Sequence, residues 1–167
     1  ESAPPSLVSL GRSRTRPDGA RRGPSLFYDR LHSGQRAVAL DVSSAPGRDA
    51  LRDLLGAADV VIEASRPRAL AQLGLAPDDL GPDGPGLWLS ITGHGRSGMC
   101  AERVAFGDDA AAAAGLVAWT ASGPVFAGDA LADPLSGLAA AAAARSPRSA
   151  DGHRWLVDLA LADVASC

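Results

Sequence analysis

Asp133 stands directly before Pro134 in the run Gly128-Asp129-Ala130-Leu131-Ala132-Asp133-Pro134-Leu135-Ser136-Gly137, and an alanine-rich stretch follows to Ala144. Proline is favoured in the first turn of a helix, where its missing N–H costs nothing. The residue before a proline is pushed out of helical geometry, and aspartate is among the preferred caps. The spacing therefore predicts a helix opening at Pro134 with Asp133 at its mouth, near free N–H groups and the positive end of the helix dipole. Gly137, one turn on, bares that face of the helix, so another backbone or a ligand can come close. A capping carboxylate needs no further role. The same carboxylate beside a bare helix surface is also placed to meet a ligand. Asp129, four residues earlier, is its nearest rival.

Other chemistry-bearing residues are less organised. Arg12, Arg14, Arg16, Arg21 and Arg22 crowd the first segment and read either as a phosphate grip or as a solvated basic loop. His94 lies between Gly93 and Gly95, a setting that suits a turn better than a catalyst. Cys100 and Cys167 make neither a disulfide framework nor a zinc site, and no metal site is expected. No GxGxxG or P-loop pattern occurs, so a dinucleotide or nucleoside triphosphate is not indicated. The net charge of −3 gives no reason to expect nucleic acid. No apolar run reaches the ~18 residues of a membrane span, and no signal peptide opens the chain. A reducing cytoplasm is the expected setting.

The elements that must position Asp133 follow from periodicity. At 167 residues the chain fits one domain, and 46% hydrophobic with 21% charged residues is ordinary for a globular protein. Much of the apolar count is alanine and aromatics reach only 4%, so a thin core is expected. Residues 1–25 show no period and read as loop. An irregular Arg/Pro-rich segment is set at 1–30, ahead of an α/β region over 31–167. Buried strands are predicted at 37–42, 59–63 and 87–92, and another at 156–160. Helices are predicted from Pro46 to Ala58, with Ser44 or Ala45 near the N-cap, from Arg68 to Leu73, and from Leu161 onward. Asp108 to Trp119 reads as an alanine-rich helix broken at Gly115, and 76–86 and 145–152 read as loops. Alternating strands and helices point to a parallel α/β sheet. Ligands in such sheets bind beyond the carboxyl ends of the strands, here Val42-Ser43, Glu63-Ala64-Ser65 and Thr92-Gly93-His94-Gly95.

Taken in order, several segments resemble a known family. They are Arg36-Ala37-Val38-Ala39-Leu40-Asp41, Ala58 to Pro67, Leu73-Gly74-Leu75, Ser90 to Gly95, and Ala132-Asp133-Pro134-Leu135-Ser136-Gly137-Leu138. This order is similar to the class III CoA-transferases, the CaiB/BaiF group, which also contains α-methylacyl-CoA racemase. The resemblance implies a Rossmann-like parallel sheet with flanking helices, a further small domain and an interlocked homodimer. It also implies that this chain is incomplete relative to the family fold. The unit before Glu1 and the small domain after Cys167 would be missing, as in a fragment, a truncated product or a remnant.

The resemblance makes Asp133 the nucleophile of an exchange between an acyl-CoA and a carboxylic acid, with coenzyme A as substrate and no permanently bound cofactor. Positions matching the family's CoA contacts are Leu40 and Ser43, Ala64 and Ser65, and Gln72 and Leu73. Arg103 lies near another, where it would meet the pantetheine or a phosphate. Ser43, Ser65 and Gln72 are neither basic nor aromatic, so phosphate binding would fall to the arginines of the first loop. Two other readings stand beside the transferase. One is a non-catalytic or truncated domain that binds acyl-CoA or a partner chain. The other is a racemase or hydratase on the same fold. The racemase branch pairs a histidine with the aspartate, and no histidine lies between His94 and His153.

Overall fold

The structure, a computed structural model, describes the backbone of residues 8–11 and residues 23–146 and 153–167 in full. The arginines from Arg12 to Arg22 lie outside the described residues, as does most of the loop expected at 145–152. Contacts divide the chain into two units, residues 1–54 and 55–167.

In the first unit, β1 (Val8–Gly11) and β2 (Arg36–Ala39) form a parallel pair, with Val8 opposite Arg36 and Gly11 opposite Ala39. The stretch expected to be loop therefore holds a strand, and helix α1 (Ser25–Leu31) also falls inside the segment set at 1–30. The strand expected at 37–42 is present but ends at Ala39. Among the described residues its ladder partner is β1 rather than one of the strands at 59–63 and 87–92. Beyond it, the Ser44 hydroxyl accepts the Gly47 N–H at 3.2 Å and donates to the Asp41 carbonyl at 2.7 Å. That cap starts α2 (Ala45–Gly56), where the sequence placed a helix.

The second unit is built on three parallel strands, β3 (Val60–Glu63), β4 (Leu87–Thr92) and β7 (Trp155–Ala160), with β4 in the middle. Leu87, Trp88, Leu89 and Ser90 of β4 are each 2% exposed or less, which explains its unbroken apolar reading. Between β3 and β4 run α3 (Pro67–Ala71) and a 3₁₀ segment, Pro77–Asp83, that replaces part of the loop expected there. Between β4 and β7 lie α4 (Gly107–Ala113), a hairpin of β5 (Val117–Thr120) and β6 (Gly123–Phe126), and α5 (Ala132–Arg145). Helix α6 (Leu161–Ser166) follows β7. The helix expected to reach Trp119 thus stops at Ala113, and its remainder leads into β5, which pairs antiparallel with β6. The turn at Gly115, with φ +88°, ends the helical path, and β-branched Val117 and Thr120 with Trp119 suit a strand.

Alanine makes the helix packing possible. Ala110 and Ala111 of α4, Ala132 of α5, and Leu161 and Ala165 of α6 form one buried cluster, and Ala140 of α5 packs with Leu87 and Leu89 of β4. Side chains this small let helices approach closely, which offsets the scarcity of large apolar residues. The second unit is thus an α/β layer with a parallel sheet and flanking helices, as the pattern predicts. No helix among the described residues is long and apolar enough to cross a membrane.

Candidate active site

Helix α5 begins earlier than the sequence predicts. Leu131 is its N-cap, and Ala132 opens the first turn. Asp133 is therefore inside the helix rather than its cap, and no side-chain bond caps this end. Pro134 tolerates the shift because it is still within the first turn, where helical N–H groups have no partner. The consequence is chemical. The Asp133 N–H donates to the Ala130 carbonyl at 3.0 Å, while its carboxylate has no hydrogen bond or ion pair among the described residues.

That carboxylate belongs to the wall of a cavity of about 400 Å³. Ala64, Ser65, Arg66 and Pro67 supply one side from the carboxyl end of β3, and Ile91, Thr92 and Gly93 another from the end of β4. Ala101, Arg103, Val104, Ala105 and Phe106 come from the segment before α4, and Asp133, Ser136 and Gly137 come from one face of α5, with Leu161 beneath. This is where a parallel sheet holds its ligands. A Cβ added at Gly137 would meet nothing within 4 Å, so that glycine leaves open space on the cavity side of α5.

Of the residues singled out in the sequence, the cavity brings together Asp133, Ala64, Ser65 and Arg103. Gln72, the C-cap of α3, and Leu73 stand outside its wall. Leu40 and Ser43 belong to the first unit, where Ser43 donates to the Asp41 carboxylate through its hydroxyl at 2.5 Å and its N–H at 3.1 Å. Asp129 is exposed and does not line the cavity. His94 is likewise outside the wall, in a turn where the Gly95 N–H donates to Thr92 Oγ1 at 2.8 Å.

The β3 side of the wall is fixed by Glu63. Its Oε2 accepts the Ser65 N–H at 2.9 Å and the Ser65 hydroxyl at 2.5 Å. Its Oε1 accepts the Ser90 hydroxyl at 2.6 Å and Arg96 Nη1 at 3.2 Å. The same Nη1 donates to Ser90 Oγ at 2.9 Å, and the Arg96 N–H donates to Asp158 Oδ2 at 2.8 Å. One carboxylate thus takes four donors, its full capacity, and ties the loop after β3 to β4 and to the loop after it, while Asp158 ties that loop to β7.

The α5 side is fixed by α4. Asp109 accepts the Phe106 N–H at 2.5 Å and closes the start of α4. Asp108 Oδ1 accepts the Ala130 N–H at 2.6 Å. Ala130 is the one described non-glycine residue at positive φ, +48°, a conformation that costs an alanine about 1 kcal/mol or more. Gly107 packs so closely on it that a Cβ there would stand 2.5 Å from the Ala130 carbonyl oxygen. Asp108→Ala leaves the Ala130 N–H without its partner and is expected to cost about 1–3 kcal/mol in chemical denaturation. Asp108→Asn keeps an acceptor oxygen and should recover more than half of that loss. Equal losses in the two variants would show that the bond does not hold the loop.

The sequence reading missed Glu63 and Asp108, whose partners lie 27 and 22 residues away. It also missed Ser136, although a position three residues after Asp133 on a helix shares its face.

Comparison with known proteins shows the family. The family model of CoA-transferase family III matches residues 10–166. The chain is 33% identical over 147 residues to an acyl-CoA transferase of Fusarium pseudograminearum, covering 83% of this chain and 32% of that protein. It is 31% identical over 149 residues to a succinate–glutarate CoA-transferase of Agrobacterium fabrum, covering 84% of this chain and 37% of that protein. Among solved structures, a CaiB/BaiF family protein from Brucella suis superposes with a TM-score of 0.83 at 28% identity, covering 96% of this chain and 47% of that one. The chain thus spans about a third of the length of these curated relatives and just under half of the solved one. With a family model matched along nearly its whole length and the same fold in a solved relative, this chain belongs to CoA-transferase family III.

Proposed function

We propose that the protein carrying this chain moves coenzyme A between an acyl-CoA and a carboxylic acid, with Asp133 as the nucleophile. The observation that carries this reading is the Asp133 carboxylate, unpaired among the described residues, on the wall of a largely apolar cavity. A carboxylate oxygen of Asp133 attacks the thioester carbonyl carbon; the C–S bond breaks and the CoA thiolate leaves. The product is a mixed anhydride. The thiolate then attacks the aspartyl carbonyl, expelling the first acid as its carboxylate and leaving an aspartyl-CoA thioester. A second carboxylate reverses both steps and departs as the new acyl-CoA. Splitting the exchange this way conserves the thioester energy at each stage. Ile91, Ala105 and Leu161 in the wall, partly or fully buried, favour the exchange by limiting the water that would hydrolyse the anhydride.

Arg103 and Arg66 supply positive charge at the cavity for CoA, beside Ala64 and Ser65. Gln72 and Leu73 extend that contact in the complete protein, which works as a homodimer in the cytoplasm. Proton exchange at the α-carbon fits the cavity less well. It needs two bases, and the wall formed by the described residues carries one carboxylate and no histidine.

Incubating the protein with an acyl-CoA and quenching with hydroxylamine tests the proposal. The activated aspartyl carbonyl is expected to be captured as a hydroxamate on Asp133, located by mass spectrometry. A hydroxamate on Asp129, or none after full acyl-CoA exposure, would refute it.

A further inference from the structure

Two buried side-chain polar atoms have no hydrogen-bond partner among the described residues: Trp88 Nε1 and Ser136 Oγ. Trp88 sits in the middle of the sheet, away from the cavity wall, whereas Ser136 is part of that wall while being only 1% exposed. A serine inside a helix ordinarily bonds back to the carbonyl four residues before it. Ser136 does not, so in this rotamer its hydroxyl is shielded from water and has no partner among the described residues, an unfavourable state for a polar group. It lies three residues after Asp133, on the same face of α5, and the next residue on that face, Gly137, is bare. The helix has few other donors to offer there. The Asp133 N–H is engaged with Ala130, Pro134 has none, and later N–H groups belong to the helical ladder.

We infer that the Ser136 hydroxyl is the hydrogen-bond donor this cavity presents to the carbonyl oxygen of the bound acyl group, a role that rests on the acyl-CoA reading of the site. When Asp133 attacks the carbonyl carbon, that oxygen gains negative charge. A donor already in place beside the nucleophile strengthens as the charge develops. Turning the Ser136 side chain about its Cα–Cβ bond to a rotamer that faces the cavity brings the hydroxyl to that oxygen without a change in the helix. Ser136 thus orients the thioester before attack and stabilises the oxyanion during it.

The test compares butyryl-CoA with S-butyl-CoA, a thioether that replaces the carbonyl by a methylene. Calorimetric titration is done on Asp133→Asn protein, so that the thioester stays intact, with and without Ser136→Ala. The Asp133→Asn protein should prefer the thioester by about five- to tenfold, the worth of one hydrogen bond. Adding Ser136→Ala should abolish the preference while leaving the melting temperature unchanged or higher, because an orphaned polar atom has been removed. Adding Ser136→Thr instead restores a hydroxyl and should restore the preference. The inference is overturned if the Ser136→Ala protein keeps the preference, if the Asp133→Asn protein never shows one, or if Ser136→Ala lowers the melting temperature by several degrees. If S-butyl-CoA fails to bind even the protein with both Asp133 and Ser136 intact, the acyl-CoA reading of the cavity has failed, and the inference falls with it.

Discussion

Asp133→Asn is expected to lower CoA transfer by roughly a thousandfold or more while changing acyl-CoA affinity by less than about threefold. Asparagine has the shape of aspartate but offers an amide in place of a nucleophilic carboxylate. In most proteins such a change also breaks a hydrogen-bond network, and the kinetic loss then mixes chemistry with damage. Here the carboxylate has no partner among the described residues, so nothing in the described fold is orphaned. The remaining structural effect is loss of the acidic residue from the first turn of α5, worth about 0.3–1 kcal/mol. A fall confined to turnover, with no adduct under hydroxylamine, identifies an interaction made only in the chemical step. Asp129→Asn is the control, since Asp129 is exposed and off the cavity wall. Steady-state rates with two acid acceptors, together with calorimetric CoA binding, check the expectation. Near-normal transfer by Asp133→Asn would end the assignment.

The parts of this chain that were legible in the sequence are those whose signal is local. Strands β3, β4 and β7 read as apolar runs because a parallel sheet covered by helices asks for no polar face. Ala64 and Ser65 could be placed at a ligand-binding end of the sheet from the order of strands and helices, because ligand-binding loops cluster at strand carboxyl ends, whereas Asp133 joined them only through the family resemblance. What escaped depends on tertiary contacts. Val8–Gly11 is four residues among prolines and arginines, and it is a strand because Arg36–Ala39 lies beside it. Val117 to Trp119 continued an alanine-rich pattern, and the segment to Phe126 lacked an Asn-Gly or Asp-Gly turn, so no hairpin signal marked it. The helix start at Ala132 follows from the Asp108 and Gly107 contacts with Ala130, none of which pre-proline preference could reveal. The orphaned hydroxyl of Ser136 is a property of its surroundings in the fold, and no motif encodes it.

Glu63→Ala is expected to be the most destabilising single change near the cavity, by about 3–5 kcal/mol. The Glu63 side chain is 10% exposed and its partner Arg96 20%, so neither charge is well solvated. Truncation removes the acceptor for four donors at once: the Ser65 N–H and hydroxyl, the Ser90 hydroxyl and Arg96 Nη1. Ser90 is fully buried and has no route to water. Arg96 is left as a largely buried cation that, among the described residues, retains only Ser90 Oγ as a side-chain acceptor for its guanidinium. For a chain of this size, each kcal/mol lowers the melting temperature by about 2–4 °C, so a drop of roughly 6–20 °C is expected. Because the same carboxylate holds Ser65 in the cavity wall, acyl-CoA affinity should fall as well, in contrast to Asp133→Asn. A double-mutant cycle with Arg96→Ala separates the ion pair from the rest of the network. The two residues share a bond, so their losses should not add, and a coupling of about 1–3 kcal/mol is expected from urea denaturation. The double variant should be more stable than the sum of the single losses allows, since it leaves no unpaired buried charge. Additive losses, or a Glu63→Ala protein that melts within two or three degrees of the parent, would show that the network is spectator to the fold rather than the tie that holds the three strand ends together.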